Sequence, residues 1–368
     1  MRTKRLLAFL IAGLMALTAM AGCSSQKPDP AENQAPSAVT GDAEPQEAQS
    51  DNPTGKVVIY TSMSEDIIEQ IDRQLEDVFP DCDIEFFYGG TGTLQAKIAA
   101  EIDAGVLGCD MMMVAEPSYS LELKEKDLLH PYIYEDAAAL SQEYDQEGYW
   151  YPVRICNMVL AYNPEKYSKD ELPNSFYDFA FDESMQGTIS MSNPLTSGTA
   201  MASISALKDK YGYEYYEALG KQNVMVESGS VALTKLETGE CKEIMVLEES
   251  VLKKREEEGS LLEVIYPTDG TIVIPSTIMT VNEEWSANKN TAACEAITKW
   301  FLNQDGQENI VKAWMHSVRT DFPNPPYDAI PTTEIMENNM PINWENCYKN
   351  REELRTKFEE FVKIQDKK

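Results

Sequence analysis

Four times along this chain a short apolar run gives way to small hydroxyl residues or glycine, and then to residues spaced for one buried helical face. The junctions are Thr61-Ser62 after residues 57–60, and Gly90-Thr91-Gly92-Thr93 after 84–88. Two more follow: Ser197-Gly198-Thr199 after 187–191, and Ser228-Gly229-Ser230 after 224–227. Repeated strand–loop–helix units demand a largely parallel sheet with right-handed crossovers, so the chain reads as α/β. In such sheets ligands sit beyond the carboxyl ends of the strands, where these junctions lie.

The stretch Asn193-Pro194-Leu195-Thr196-Ser197-Gly198-Thr199-Ala200 is the most telling of the four. It opens a helix over 199–210, with Met201, Ile204 and Leu207 on one face. Ser197 can cap that helix, and Gly198 lets the backbone approach a bound group closely. The first turn of a helix carries unpaired N–H groups and partial positive charge, which suits an oxyanion. Alone, the stretch reads equally as an ordinary capped helix. Four junctions of one chemistry, two in each half, point to a cleft lined by hydroxyls and N–H groups.

The remaining pattern supplies the frame. A helix over 65–79 buries Ile67, Ile68, Ile71, Leu75 and Phe79, begins with a Ser62/Glu65 capping box and ends at Pro80. Another runs over 93–104 with Gly105 as its C-terminal cap. Strand 110–115 leads through Glu116-Pro117 into a helix over 118–126. Two longer β-rich runs cover 155–162 and 272–281, the second interrupted by Pro275. From residue 291 the chain is mostly helical, ending in one amphipathic helix over 345–363.

The N-terminus reads as an export signal. Arg2, Lys4 and Arg5 precede an apolar run over 6–20 that is short for a membrane span. Met20-Ala21-Gly22-Cys23 resembles a bacterial lipobox, with Cys23 as the lipidated first residue of the mature chain. Residues 24–54 are poor in aliphatics and rich in Pro, Ala, Gln and acids, the composition of a tether. With 31 basic against 62 acidic residues, the chain does not suit nucleic acid. None of the remaining cysteines stands in a metal-ligand pattern; most read as buried apolar residues, with Cys82 and Cys109 the best-placed pair for a bridge.

Catalytic signatures are absent from the sequence. The glycine loop lacks the third glycine of GxGxxG, and no Walker A, GxSxG or HExxH pattern occurs. His130 and His316 lie outside the four junctions, and Tyr215-Tyr216 reads as helix packing rather than a phenolate pair.

Several landmarks in order give a resemblance over residues 56–326. They include Tyr60-Thr61-Ser62, Tyr88-Gly89-Gly90-Thr91-Gly92-Thr93-Leu94, Leu128-Leu129-His130-Pro131-Tyr132 and Ala161-Tyr162-Asn163-Pro164. The Pro194 to Thr199 phrase, Ser228-Gly229-Ser230, Tyr266-Pro267 with Gly270, and Phe301-Leu302 with Gly306-Gln307 complete them. Together they resemble the extracellular solute-binding proteins of bacterial ABC importers, in the cluster holding ferric-, phosphosugar- and 2-aminoethylphosphonate-binding proteins.

That resemblance implies a type 2 periplasmic-binding-protein-like fold, two lobes joined by crossing strands near 152–162 and 266–280, with solute between them. Residues 56–153 with 275–326 would form the first lobe and 154–274 the second, after a leader (1–22) and a lipidated tether (23–55). Residues 327–368 would form a helical extension packed on the first lobe. In the ferric branch the segment matching Ser197-Gly198-Thr199 holds an anion, and Glu116 falls at a carboxylate ligand. Its histidine ligand corresponds roughly to Met63, and its tyrosine pair falls near 245–248, where no Tyr occurs. Met is a poor ligand for ferric iron.

The expected site is therefore Thr61, Ser62, Thr91, Gly92, Thr93, Glu116, Arg154, Ser197, Gly198, Thr199, Ser228, Gly229 and Ser230. Glu116 is expected to face the far end of the solute. Arg154, near the first crossing, reads either as a fixed positive charge for the anion or as an interlobe or surface arginine. The expected function is an exported, lipid-anchored, monomeric, non-enzymatic receptor that takes a phosphosugar- or phosphonate-like anion to a permease, without cofactor or metal. Ferric iron with a synergistic anion is the alternative on the same fold, and an exported phosphate-ester hydrolase the alternative of a different class.

Overall fold

The computed structural model describes residues 52–322 and 325–364. The expected leader, Cys23 and the tether up to residue 51 lie outside the described residues. Among the described residues no helix is long and apolar enough to cross a membrane.

The chain begins with β1 (Gly55–Thr61), α1 (Glu65–Val78), β2 (Cys82–Tyr88), α2 (Thr91–Ala104), β3 (Met111–Ala115) and α3 (Pro117–Glu125). A short β4 (Leu129–His130) precedes the long β5 (Tyr151–Tyr162). Then come α4 (Phe176–Phe181), β6 (Ile189–Ser192), α5 (Gly198–Tyr211), α6 (Glu214–Lys221), β7 (Met225–Glu227) and α7 (Gly229–Thr238). They are followed by β8 (Glu243–Leu247), α8 (Glu248–Glu258), β9 (Glu263–Ile265) and β10 (Ile272–Val281). Five helices finish the chain: α9 (Thr291–Leu302), α10 (Gln304–Lys312), α11 (Thr332–Glu337), α12 (Trp344–Lys349) and α13 (Arg351–Phe361).

The strands form one path, β2-β1-β3-β10-β5-β8-β6-β7. At one end β1 runs parallel to β2 and β3; at the other β6 runs parallel to β7 and β8. Between these half-sheets β10 and β5 pair antiparallel with each other and with β3 and β8 respectively. β3, β5 and β10 are buried along their whole length, which matches their near-continuous apolar sequence. β5 serves two cores. Tyr151, Val153 and Ile155 pack with Ile59, Ile71 and Phe301, whereas Cys156, Met158 and Leu160 pack with Phe176, Ile204 and Tyr216. Two lobes result, each with its own core.

Most helices begin and end within a few residues of expectation; the differences have local causes. α1 is opened by Ser64, not Ser62, whose Oγ accepts from the Ala115 N–H across the sheet end (3.0 Å). Pro275 does not interrupt β10; the register shift falls between Ser276 and Thr277. Cys82 and Cys109 are both free, as are the other described cysteines, and all but Cys82 are buried.

The expected last helix is two, broken at Asn350, which ends α12 and begins α13. The extension also corrects the expected packing. Ile335 packs in the first core, whereas Cys347, Leu354, Phe358 and Val362 enter the core built around Phe176 and Tyr216, in the second lobe, so the extension serves both. Phe358 meets the Tyr216 ring edge-on, at 5.5 Å between centroids. An amphipathic stripe fixes which helix face is buried, not which surface receives it.

Candidate functional site

The carboxyl ends of β1, β2, β6, β7 and β8 open onto a cleft of about 600 Å³ between the lobes. That volume suits a small molecule. Ser62, Thr91, Thr93, Arg154, Ser197, Gly198, Thr199, Ser228, Gly229 and Ser230 all line it.

Two helix starts present the same device. Ser197 and Thr199 flank Gly198 at the start of α5, with their hydroxyls 3.1 Å apart. Ser228 and Ser230 flank Gly229 at the start of α7, with theirs 3.2 Å apart. Ser197 Oγ also accepts from the Ala200 N–H, holding the α5 start in place (3.2 Å). From the first lobe α2 brings Thr91, whose hydroxyl is buried and has no protein partner. A buried polar atom without a partner is costly unless something completes it.

The two lobes touch beside this cluster. The Gly92 N–H donates to the Thr196 carbonyl (3.1 Å). A side chain at Gly92 would run into the Leu195 carbonyl, and one at Gly198 would lie 2.8 Å from Thr91. These glycines allow the approach: the Gly92 backbone meets the Leu195 backbone, and the Gly198 backbone meets the Thr91 side chain.

Thr61, Gly92 and Glu116 do not line the cleft. Thr61 is buried at the end of β1, where its Oγ1 accepts from the Met63 N–H (3.2 Å). Glu116 is also withdrawn, which corrects its expected place at the far end of the solute. It caps α3 with φ 73°, and its carboxylate accepts from the Ser118 N–H (2.9 Å). Its other oxygen lies 3.6 Å from Arg351, in a small recess with Arg355 behind Ser197 and Gly198. Burial pushes its pKa up to about 7, against the opposing pull of Arg351 and Ser118.

Charge in the cleft is already paired. Arg154 is nearly fully buried and donates to Glu249 Oε1 (2.9 Å). Burial raises the Glu249 carboxyl, and Arg154 opposes that rise. On the rim Lys253 of α8 pairs with Asp66 of α1, and Lys254 reaches Glu258 (2.8 Å) and Glu237 (3.1 Å). Glu227 is held by Lys235 (2.8 Å). Beneath the floor Glu248 accepts from Asn157 (3.1 Å) and from Tyr266, and meets His316 (2.9 Å).

Asp66, Tyr88, Glu227, Glu249, Lys253 and Lys254 line the cleft although the junction pattern does not name them. Two had a sequence signal. Tyr88 directly precedes Gly89-Gly90, and Glu227 directly precedes Ser228. The others lie within a first helical turn or one turn further on.

A profile of the bacterial extracellular solute-binding proteins matches residues 107–350. The chain belongs to that family. No curated protein sequence matches the chain. Solved structures share the fold at low identity. One is the periplasmic binding protein AfuA from Actinobacillus pleuropneumoniae, solved with fructose-6-phosphate (20% identity, 84% of this chain, 99% of that chain, TM-score 0.73). Another is iron-bound HitA from Pseudomonas aeruginosa (19% identity, 84% and 99%, TM-score 0.72). A third is a periplasmic thiamin binding protein (14% identity, 84% and 99%, TM-score 0.70). The shared architecture is the two-lobed type 2 fold of periplasmic binding proteins, and the family's solutes are bound rather than converted.

Proposed function

We propose that the cleft takes a small solute bearing an oxyanion, a phosphorylated sugar or a phosphonate, and that the chain hands it to the permease of an ABC importer. The observation that carries this reading is the convergence of the α2, α5 and α7 starts on one cleft, with the unpartnered Thr91 hydroxyl among them. Hydroxyls and first-turn N–H groups are the donors an oxyanion needs. Cleft cations add less, since each is held by a carboxylate. Asp66, Glu227 and Glu258 are paired too, but each carboxylate keeps further acceptor lone pairs, which favours a solute whose other end offers hydroxyl groups. The fructose-6-phosphate bound to AfuA has that character.

Iron is the weaker reading despite HitA. Met63 is packed in the first core, no tyrosine stands at 245–248, and the described residues hold no cluster of three His, Cys, Asp or Glu side chains. A hydrolase is weaker too, because neither histidine lines the cleft: His130 pairs with Glu295 (2.8 Å) and His316 lies beneath the floor. The receptor works as an exported monomer tethered by lipid on Cys23, with Thr61 and Gly92 shaping the cleft from behind.

Calorimetry with fructose 6-phosphate, 2-aminoethylphosphonate and ferric citrate tests the reading. One phosphorus compound binds to wild type, and Ser197→Ala and Thr199→Val weaken it about tenfold, the loss of one charge-assisted hydrogen bond. Equal affinity in both variants, or binding of ferric citrate alone, overturns it.

A further inference from the structure

The C-terminal helices join parts of the molecule that the cleft separates. α13 is anchored in the second lobe: Leu354 and Phe358 are buried in its core, and Tyr213 donates to Glu353 (2.8 Å). Arg355 Nη2 donates to the Leu195 carbonyl, two residues before the Ser197 turn (3.0 Å). From this anchored base Arg351 and Tyr348 reach into the first lobe. Arg351 donates to Glu122 Oε2 (2.5 Å) and Ser118 Oγ (3.0 Å) on α3, and Tyr348 donates to Glu125 Oε2 (2.8 Å). The guanidinium lies over the rings of Tyr119, from the first lobe, and Tyr348, from α12, at 5.7 and 5.9 Å.

Arg351 is thus a largely buried cation, fixed on one lobe, whose side-chain acceptors all belong to the other. Ordering a long side chain in this way is costly unless its contacts return the loss. The same conformation brings Gly92 onto Thr196, so the contact coexists with the lobes pressed together. The profile match to the family ends at residue 350, immediately before this arginine.

We propose that α12 and α13 form a clasp, with Arg351 as its pin, that stabilises the closed form and so sets solute affinity and release. A contact present only in the closed form shifts the open–closed balance by its full strength, and apparent affinity falls in proportion to the closed fraction that is lost. The effect on affinity rests on the reading of the cleft as the solute site; the effect on closure does not.

The test uses the full chain with Arg351→Gln, Glu122→Gln and the double variant Arg351→Gln/Glu122→Gln. Solution scattering without solute reads the radius of gyration, and calorimetry reads fructose 6-phosphate binding. Each single variant is expected to expand the solute-free protein and to weaken binding about tenfold. The double variant expands the protein and weakens binding no more than the larger single change, whereas two independent losses of packing would add. Glu122 is only part-buried and Glu122→Gln leaves Arg351 its contacts with Ser118 and Glu116, so Glu122→Gln carries the test should Arg351→Gln fail to fold. An unchanged radius of gyration in Glu122→Gln overturns the clasp. Expansion of the variants supports it even where fructose 6-phosphate binds to none of the proteins, an outcome that counts against the phosphosugar reading alone.

Discussion

Arg154 on β5 and Glu249 in the first turn of α8 form an ion pair at 2.9 Å in which both side chains are almost fully buried. The pair lies at the cleft floor, where β5 passes from one core to the other. Removing one partner strands a buried charge, so Arg154→Met is expected to cost about 3–5 kcal/mol of stability. Arg154→Met with Glu249→Leu removes both charges and recovers most of that loss. Urea unfolding of both variants checks this, and equal instability in single and double variants contradicts it.

Glu116 gives the fold a pH dependence. Its pKa stands at about 7 in the folded chain against an ordinary 4.5, because burial disfavours the charged form. A carboxyl that holds its proton more tightly when folded stabilises the protein fully below pH 4.5 and loses that contribution as pH rises through 7. The loss amounts to about 3 kcal/mol by the linkage of pKa to free energy. Thermal melts of wild type should fall across this window relative to Glu116→Gln. Parallel profiles would show that Arg351 fully offsets the burial.

The glycine seam between the lobes predicts a split between stability and binding. In Gly92→Ala the new methyl meets the Leu195 carbonyl, which keeps the lobes apart. The same change favours helix α2 by removing backbone freedom from the unfolded chain. The melting temperature should hold or rise while affinity for the phosphorus ligand falls about tenfold, the effect of about 1.4 kcal/mol against closure. A fall in both, or in neither, argues against a seam.

The α/β alternation and the Ser197 and Ser228 turns were readable in the sequence because each rests on local patterns, apolar period, capping residue and glycine, while the two lobes came only through the family resemblance. What was not readable depended on distant partners. Glu116 looked available because nothing local reveals Arg351, 235 positions later. Asp66 and Lys253 form a rim pair from helices nearly two hundred residues apart, and each alone is an unremarked charge on a helix face. The Phe358 stripe announced a helix and left its receiving surface open.

Membrane attachment is tested at Cys23. The basic start, the short apolar run and the small residues before Cys23 lead to the expectation that Cys23→Ser releases the protein into the soluble fraction or leaves its leader uncleaved. Fractionation and mass determination of the N-terminus check it. An unchanged membrane fraction with a processed leader speaks against lipid on this residue.

The two-core character of the central strands also governs the order in which the molecule can be completed. Strand β3 receives its inner neighbour only when residues 272–281 arrive, and the first core waits for Phe301, Ile310 and Ile335. The second core waits longer still, for Leu354, Phe358 and Val362 near the chain's end. Contacts of such long sequence separation form late, since their loops must close before they are rewarded. Neither core can therefore reach its final packing before residues far along the chain have docked, Ile335 in the first and Phe358 in the second.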